Sequence, residues 1–304
     1  MARFGPVVTA MITPMRADGA VDYAEAKRIA AWLCDHGSTG LVVAGTTGEG
    51  PTLTDDEKIR LFREIVTAVG SRAKVIANTG GNDTRRSVEL SKQAESCGVD
   101  ALLVVGPYYN KPPQAGLIEH FTTIADAVNL PIVIYNIPGR TAVNVLPDTL
   151  ASLARHRHIV GVKESSGDVM QISDVIAKVP RDFDVYSGDD HMTLAVLAIG
   201  GCGVVSVASH IAGDDIAALC RAFASGDTTR AASIHASLLP LVKALFAVTS
   251  PIPVKAAMRR FGFETGRCRP PLCVLTQDQE RALDAAIQPW TSRIPSEQAA
   301  SGVH

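Results

Sequence analysis

The chain has 304 residues, 46% of them hydrophobic and 20% charged, and its formal net charge at pH 7 is −2. This composition is typical of a globular protein and excludes a largely disordered one. Because the sequence has no basic stripe interleaved with aromatic residues, we predict no nucleic-acid partner.

At the N-terminus, a short apolar run lies between Pro6 and Pro14, a pattern unlike that of a signal peptide. None of the six cysteines belongs to a Cys-x-x-Cys pair, so we expect reduced thiols in a cytoplasmic protein. Zinc binding by Cys268 and Cys273 is the alternative for those two residues.

Eight short apolar runs predict buried parallel strands, because most are too apolar to expose one face to water. They span residues 7–12, 41–45, 74–78, 101–105, 131–135, 159–163, 184–188 and 203–207. The segment 192–213 is long enough to cross a membrane, but its glycines favour a buried helix, a turn and the eighth strand. We therefore predict no membrane partner.

Amphipathic helical patterns separate the strands, at residues 22–36, 83–97, 116–128, 147–155, 168–179 and 214–224. A further helix should begin after Thr54, since Glu57 follows three positions later as in a capping box. This alternation predicts an α/β fold, a (β/α)8 TIM barrel, over residues 1–224. A doubly wound sheet is the alternative, although no G-x-G-x-x-G follows the first strand.

Beyond the barrel, three more apolar helical patterns occur at residues 228–248, 254–261 and 276–287. They predict a C-terminal helical extension over residues 225–292. The polar residues 293–304 are predicted to form a flexible tail.

Lys163 ends the sixth strand, and the C-terminal ends of barrel strands face the active site. Burial disfavours the charged form of a lysine, and a neutral amine can attack a ketone to form a Schiff base. A lysine that extends to solvent or pairs with a carboxylate is the alternative. Tyr135 ends the fifth strand and could move the protons this chemistry requires, with Thr46 as a relay. A core tyrosine is the alternative for Tyr135.

Groups that suit carboxylate ligands follow the second and fifth strands. The loop GTTGE offers two hydroxyl groups beside glycine N–H groups, although it could be only a tight loop. Arg140 could hold a carboxylate through two hydrogen bonds, or form a surface ion pair. Asp189, Asp190 and His191 could bind a metal, but a helix N-terminus explains acidic residues there equally well, and we predict no metal site.

The motifs GTTGE, YYNKP, YNIPGRT, GVKESSGD, SGDD and SPIPVK occur in this order and resemble those of the dihydrodipicolinate synthases. These enzymes belong to the N-acetylneuraminate lyase superfamily of pyruvate Schiff-base aldolases. The resemblance implies condensation of pyruvate with L-aspartate-4-semialdehyde to 4-hydroxy-tetrahydrodipicolinate, the first committed step towards diaminopimelate and lysine. It also implies no cofactor beyond the Schiff base, and a homotetramer built as a dimer of dimers.

The resemblance also implies roles for individual residues. Lys163 would form the imine with pyruvate. Thr46 and Tyr135 would relay protons, and Tyr109 would complete the relay in the neighbouring subunit's site. The positions that match substrate-contacting residues are Thr47 for the pyruvate carboxylate, Arg140 for the carboxylate of the aldehyde, and Gly188 and Val205 for the lining.

Three other functions compete with this interpretation. Another pyruvate-dependent aldolase of the superfamily, acting on a sugar acid or 4-hydroxy-2-oxoglutarate, is the nearest alternative. A ligand-binding relative without activity is disfavoured, because it has no need of a nucleophile. A metal-dependent aldolase is disfavoured because the sequence shows no cluster of histidines and carboxylates.

Two parts of the sequence depart from the family pattern. Ser250 stands where the motif SPIPVK usually begins with Asn. Relatives inhibited by lysine bind it at a subunit interface, and Asn82 and Tyr108 fit that pocket. However, Arg86 falls where those relatives carry a glutamate, and Lys58 where they carry a histidine. Because two cations would face a cationic ligand, we expect a degenerate pocket.

Overall fold

In the computed structural model, which describes residues 2–291, eight parallel strands close into a barrel in chain order. The strands are β1 Val7–Ala10, β2 Gly40–Val43, β3 Lys74–Asn78, β4 Ala101–Val105, β5 Ile132–Asn136, β6 Ile159–Glu164, β7 Asp184–Ser187 and β8 Gly203–Ser206. The predicted TIM barrel is confirmed, and the doubly wound alternative is wrong because β1 pairs with β8 and leaves no open edge.

Twelve α-helices cover the barrel and form its extension within residues 2–291. They are α1 Tyr23–Asp35, α2 Asp55–Val69, α3 Thr84–Glu95, α4 Gln114–Asp126, α5 Pro138–Thr141, α6 Pro147–Leu153, α7 Val169–Lys178, α8 Thr193–Ala198, α9 Ser209–Ala224, α10 Thr228–Leu245, α11 Ile252–Arg260 and α12 Gln277–Thr291. In this part of the chain no helix combines the length and the hydropathy needed to cross a membrane.

The predicted elements differ from the observed ones mainly at their ends. The capping box is present, since the Glu57 N–H donates to Thr54 Oγ1 at 3.2 Å and the Thr54 N–H donates back to the Glu57 carboxylate. The helix expected from residue 214 begins five residues earlier, at Ser209, and is kinked at Ala212. The short helix α5 was not predicted, because its four residues are too few to show a period.

The predicted boundary between barrel and extension falls between α9 and α10, and it stays a prediction. The predicted tail, residues 293–304, lies outside the described residues. The segment 192–213 contains α8, a turn through Gly200 with φ of +107°, and β8, which confirms the preferred interpretation of that apolar stretch.

A buried ion pair joins the extension to the mouth of the barrel. Lys255 on α11 donates from Nζ to Glu49 Oε1 at 2.7 Å and to the carbonyl oxygens of Thr13 and Arg267, both at 3.1 Å. The second carboxylate oxygen of Glu49 accepts from the Arg269 N–H at 2.7 Å. Both charged side chains are fully buried, so all three ammonium protons and both carboxylate oxygens depend on these partners.

Removing one member of this pair should therefore destabilise the protein strongly. We expect Lys255→Met to lower the free energy of unfolding by about 3–5 kcal/mol, because it leaves a carboxylate buried without its cation. Urea denaturation measures the change. The matched control is Lys178→Met, which breaks solvent-exposed ion pairs with Asp148 and Asp174 and should cost far less. Equal losses in the two variants would contradict the assigned importance of the buried pair.

Candidate active site

Lys163 lies on β6 with its side chain inside the barrel mouth, and only 6% of the residue is exposed. Its Nζ lies 4.0 Å from the centroid of the Tyr135 ring, on the adjacent strand. Within residues 2–291, Nζ forms neither a hydrogen bond nor an ion pair, unlike the buried ammonium of Lys255. The predicted alternative, a lysine paired with a carboxylate, is therefore not observed in the described part of the chain, and the amine is available to a carbonyl compound.

The loop after β2 presents the two adjacent threonines to this mouth. The carbonyl oxygen of Thr46 accepts from the Glu49 N–H at 3.1 Å, and Thr47 is buried. The loop needs glycine at its end, since a Cβ on Gly50 would lie 2.2 Å from the Ala44 carbonyl oxygen. Glu49 itself has a φ of +57°, a conformation that its buried side-chain contacts hold in place.

Arg140 and Thr46 border one cavity of about 270 Å³, with Asn78 and Tyr108 also in its wall. Arg140 lies on α5, directly after β5, and is solvent-exposed. It forms no ion pair with any residue in the range 2–291, so the predicted alternative of a surface ion pair is not observed there. Its guanidinium group is free to bind an anionic ligand in this cavity.

Gly188 lies next to the lysine, whereas Val205 lies on β8, two strands from β6, and the lining role of both stays a prediction. Val205 is buried on β8 among the side chains that fill the barrel interior. Gly188 follows β7, and a Cβ built on it would lie 3.0 Å from Lys163 Cε. A side chain at this position would therefore displace the lysine, which explains why glycine suits it.

The acidic pair after β7 organises the neighbouring loop. Asp190 is fully buried and accepts from the Ser206 hydroxyl and from the N–H groups of Val207 and Ala208 at 2.9 and 3.1 Å. Burial raises the pKa of Asp190, and that of Asp189 as well. A helix N-terminus therefore explains only part of the role of Asp190. The Asp190 carboxylate also binds the segment that connects β8 to α9.

Tyr109 lies at the surface of its own chain. It is 88% exposed, and its φ is +76°, while that of Lys111 is +48°. Non-glycine residues with positive φ cost about 1–3 kcal/mol each, so this loop is held against local preference. The structure does not bring Tyr109 together with Lys163 and Tyr135 inside one chain.

A second cavity, of about 290 Å³, adjoins the first and contains the positions expected for a lysine pocket. Asn82, Tyr108, Lys58 and Arg86 all border it. Asp55 lies between the two cations, 3.1 Å from Arg86 Nη2 and 3.7 Å from Lys58 Nζ. Both expected cations border the cavity, and this one carboxylate pairs with each of them, so the expected degeneracy of the pocket stays a prediction. Burial lowers the pKa of Lys58.

Three buried residues that support the site could not be predicted from the sequence. Glu49 and Lys255 lie within the motifs GTTGE and SPIPVK, but the sequence gives no sign of their contact. Glu164 follows Lys163 and faces the helix layer, where it accepts from Asn136 Nδ2 at 3.1 Å and from the Ser166 N–H at 2.9 Å. Burial raises the pKa of Glu164. A charged residue inside an otherwise apolar strand is the one sequence signal that pointed to it.

Comparisons with known proteins agree with this geometry. The profile of the dihydrodipicolinate synthetase family matches residues 3–289. A 4-hydroxy-tetrahydrodipicolinate synthase from Moorella thermoacetica is 51% identical over 286 residues, which cover 94% of this chain and 98% of that protein.

Two solved structures share the fold over nearly their whole length. The enzyme from Cyanidioschyzon merolae, solved with lysine bound, has a TM-score of 0.94 and 42% identity over 97% of this chain and 100% of its own. The enzyme from Acinetobacter baumannii, complexed with pyruvate, has a TM-score of 0.92 and 36% identity over 96% of this chain and 100% of its own. The match along the chain shows that this protein belongs to the dihydrodipicolinate synthetase family.

Proposed function

We propose that this protein condenses pyruvate with L-aspartate-4-semialdehyde through a Schiff base on Lys163, without a further cofactor. The observation that carries the proposal is the buried Lys163 amine, which has no hydrogen-bond partner within residues 2–291. A relative complexed with pyruvate and relatives named 4-hydroxy-tetrahydrodipicolinate synthase support it. The product, 4-hydroxy-tetrahydrodipicolinate, would then be a precursor for diaminopimelate and lysine biosynthesis.

In the proposed reaction, each step falls to one of the groups described above. The Lys163 amine adds to the pyruvate ketone, and the hydroxyl of the resulting carbinolamine leaves as water with protons moved by Tyr135 and Thr46. Thr47 holds the pyruvate carboxylate. Loss of a proton from the methyl carbon gives an enamine, whose carbon attacks the aldehyde while Arg140 binds the carboxylate of that second substrate.

A sibling aldolase that uses pyruvate with a different aldehyde is the second candidate. The exposed Arg140 beside a cavity of about 270 Å³ favours a small acceptor that carries a carboxylate. The position of Arg140 does not distinguish one carboxylate-bearing aldehyde from another. A panel of aldehydes is therefore the appropriate test.

With pyruvate and borohydride, we expect one reduced adduct, on the peptide that contains Lys163. Lys163→Ala should lose both the adduct and turnover, because it removes the buried amine that lies against the Tyr135 ring. Mass spectrometry locates the label, and a coupled assay compares L-aspartate-4-semialdehyde with N-acetylmannosamine and other aldehydes. An adduct that persists in the variant would refute the nucleophile, and faster turnover of a sugar aldehyde would favour the sibling aldolase.

We also propose a homotetramer built as a dimer of dimers, in which Tyr109 completes the proton relay of a neighbouring subunit. Its 88% exposure on a loop with positive φ supports this role, since within residues 2–291 the Tyr109 side chain forms no hydrogen bond that would explain this conformation. A second interface needs another apolar surface. Met170, 78% exposed at the start of α7 beside Val169, provides one.

Subunit complementation tests the role of Tyr109. Lys163→Ala and Tyr109→Phe chains should each be inactive alone, and a mixed assembly should recover part of the activity because one site then has both groups. Native mass spectrometry verifies that hybrids have formed and reports the number of subunits. Verified hybrids without activity would place Tyr109 outside the neighbouring site.

We propose a cytoplasmic location. All six cysteines are free thiols in the described chain, as expected where glutathione and thioredoxin keep thiols reduced.

We further propose that lysine inhibits this enzyme weakly. Within residues 2–291 Lys58 and Arg86 both pair with Asp55, and Asp83 also borders the cavity, so a bound lysine would meet two cations where the inhibited relatives carry a glutamate and a histidine. A residual repulsion of about 1.4 kcal/mol would weaken lysine binding about tenfold. Titration with L-lysine should therefore show little inhibition below millimolar concentrations, and Arg86→Glu should increase it. Strong inhibition of the parent enzyme, abolished by Tyr108→Ala, would show that the pocket is intact.

A further inference from the structure

Two serines follow the β6 strand, and only one of them has a structural partner. Ser166 Oγ accepts from the Asp168 N–H at 3.3 Å and so supports the turn into α7. Ser165 is 9% exposed, and its Oγ is buried without a hydrogen-bond partner within residues 2–291. Buried hydroxyl groups are rarely left unpaired, so this one requires a separate explanation.

The position of Ser165 directs its hydroxyl group toward the mouth of the barrel. Side chains alternate along a strand, so Lys163 and Ser165 share the inner face, while Glu164 faces the helix layer and bonds to Asn136. The Ser165 N–H donates to the Asn136 carbonyl oxygen at 2.8 Å, which continues the β5–β6 pairing one residue past the strand. The backbone at Ser165 is therefore fixed.

Gly188 supplies the space that this hydroxyl group occupies. Its N–H donates to the Glu164 carbonyl oxygen at 2.7 Å, which holds the end of β7 against that of β6. A Cβ built on Gly188 would lie 1.8 Å from Ser165 Oγ and 3.0 Å from Lys163 Cε. The hydroxyl group and the reactive end of the lysine thus border the same small space, on the β7 side of Lys163, whereas Tyr135 flanks the lysine on β5.

We infer that Ser165 is a further catalytic residue, which donates a hydrogen bond to the aldehyde oxygen of the second substrate. This inference rests on the proposed function. In the addition step, the enamine carbon bonds to the aldehyde carbon, the nitrogen lone pair re-forms the C=N bond, and the C=O pair passes to oxygen. The Ser165 hydroxyl stabilises the alkoxide, and a solvent proton at the open mouth completes the alcohol.

The chemistry favours the acceptor oxygen over the pyruvate half-reaction. Tyr135 and Thr46 already account for proton transfers at the imine, whereas the alkoxide formed on addition has no donor assigned. Ser165 lies two residues beyond Lys163 in the strand direction, toward the opening through which the second substrate must arrive. Its hydroxyl group is therefore on the acceptor side of the amine.

The test separates the two half-reactions in Ser165→Ala, with Ser166→Ala as the matched control. Exchange of the pyruvate methyl protons in D2O, followed by proton NMR without aldehyde, reports imine and enamine formation alone. We expect this rate to stay within roughly twofold of wild type in both variants. We expect kcat/KM for L-aspartate-4-semialdehyde to fall roughly 10- to 100-fold in Ser165→Ala, the range for a hydrogen bond to a charged group, and not in Ser166→Ala.

Normal methyl exchange in Ser165→Ala also shows that its barrel is folded and its lysine active. If Ser165→Ala loses methyl exchange and condensation to the same extent, the hydroxyl group acts in the pyruvate half-reaction. If neither rate falls, the hydroxyl group has no catalytic role. Both results overturn the assignment. Absence of exchange in the wild-type enzyme would instead refute the proposed function, and the role of Ser165 with it.

Discussion

The site depends on a buried ion pair that lies outside the barrel's own repeating pattern. Glu49 belongs to the loop that carries Thr46 and Thr47, and Lys255 belongs to the extension. A fully desolvated carboxylate and ammonium attract strongly but are stable only if their remaining hydrogen-bonding capacity is met, as Thr13, Arg267 and Arg269 do here. The loop conformation, including the positive φ of Glu49, follows from satisfying those groups. The extension thus holds the loop that carries Thr46 and Thr47 in place.

Strand β6 ends in two consecutive charged residues that lie in different environments. Lys163 faces the mouth, where its amine has no described partner, whereas Glu164 faces the helices. Glu164 bonds to Asn136, whose Oδ1 in turn accepts from the Val145 N–H at 3.0 Å. Through Asn136, the Glu164 carboxylate therefore helps to fix the backbone that follows β5. It does not pair with Lys163. The alternation of the strand prevents the ion pair that would make Lys163 unreactive.

The sequence was sufficient to predict the barrel because the apolar runs are short, regularly spaced and bounded by turn residues. Lys163 and Tyr135 could be predicted because strand ends in a barrel meet at one face. The Glu49–Lys255 pair could not, because its members are about 200 residues apart and each looks like an ordinary surface charge. The Asp55–Lys58 contact follows the i,i+3 spacing within α2, whereas the Asp55–Arg86 contact depends on how α2 and α3 lie side by side, which no local pattern records.

The two substrates meet groups that differ in how firmly they are held. Lys163 and Tyr135 lie on paired strands, and the threonine loop is fixed by the buried ion pair, so the pyruvate half of the site is preorganised in a single chain. Arg140 and Tyr109 are exposed, and neither has an ion-pair partner in the described chain. The groups proposed to bind the aldehyde and to complete the proton relay are therefore held less firmly by this chain than Lys163 and Tyr135 are. In the proposed reaction, the amine that forms the imine and the tyrosine beside it are thus already positioned when the second substrate arrives.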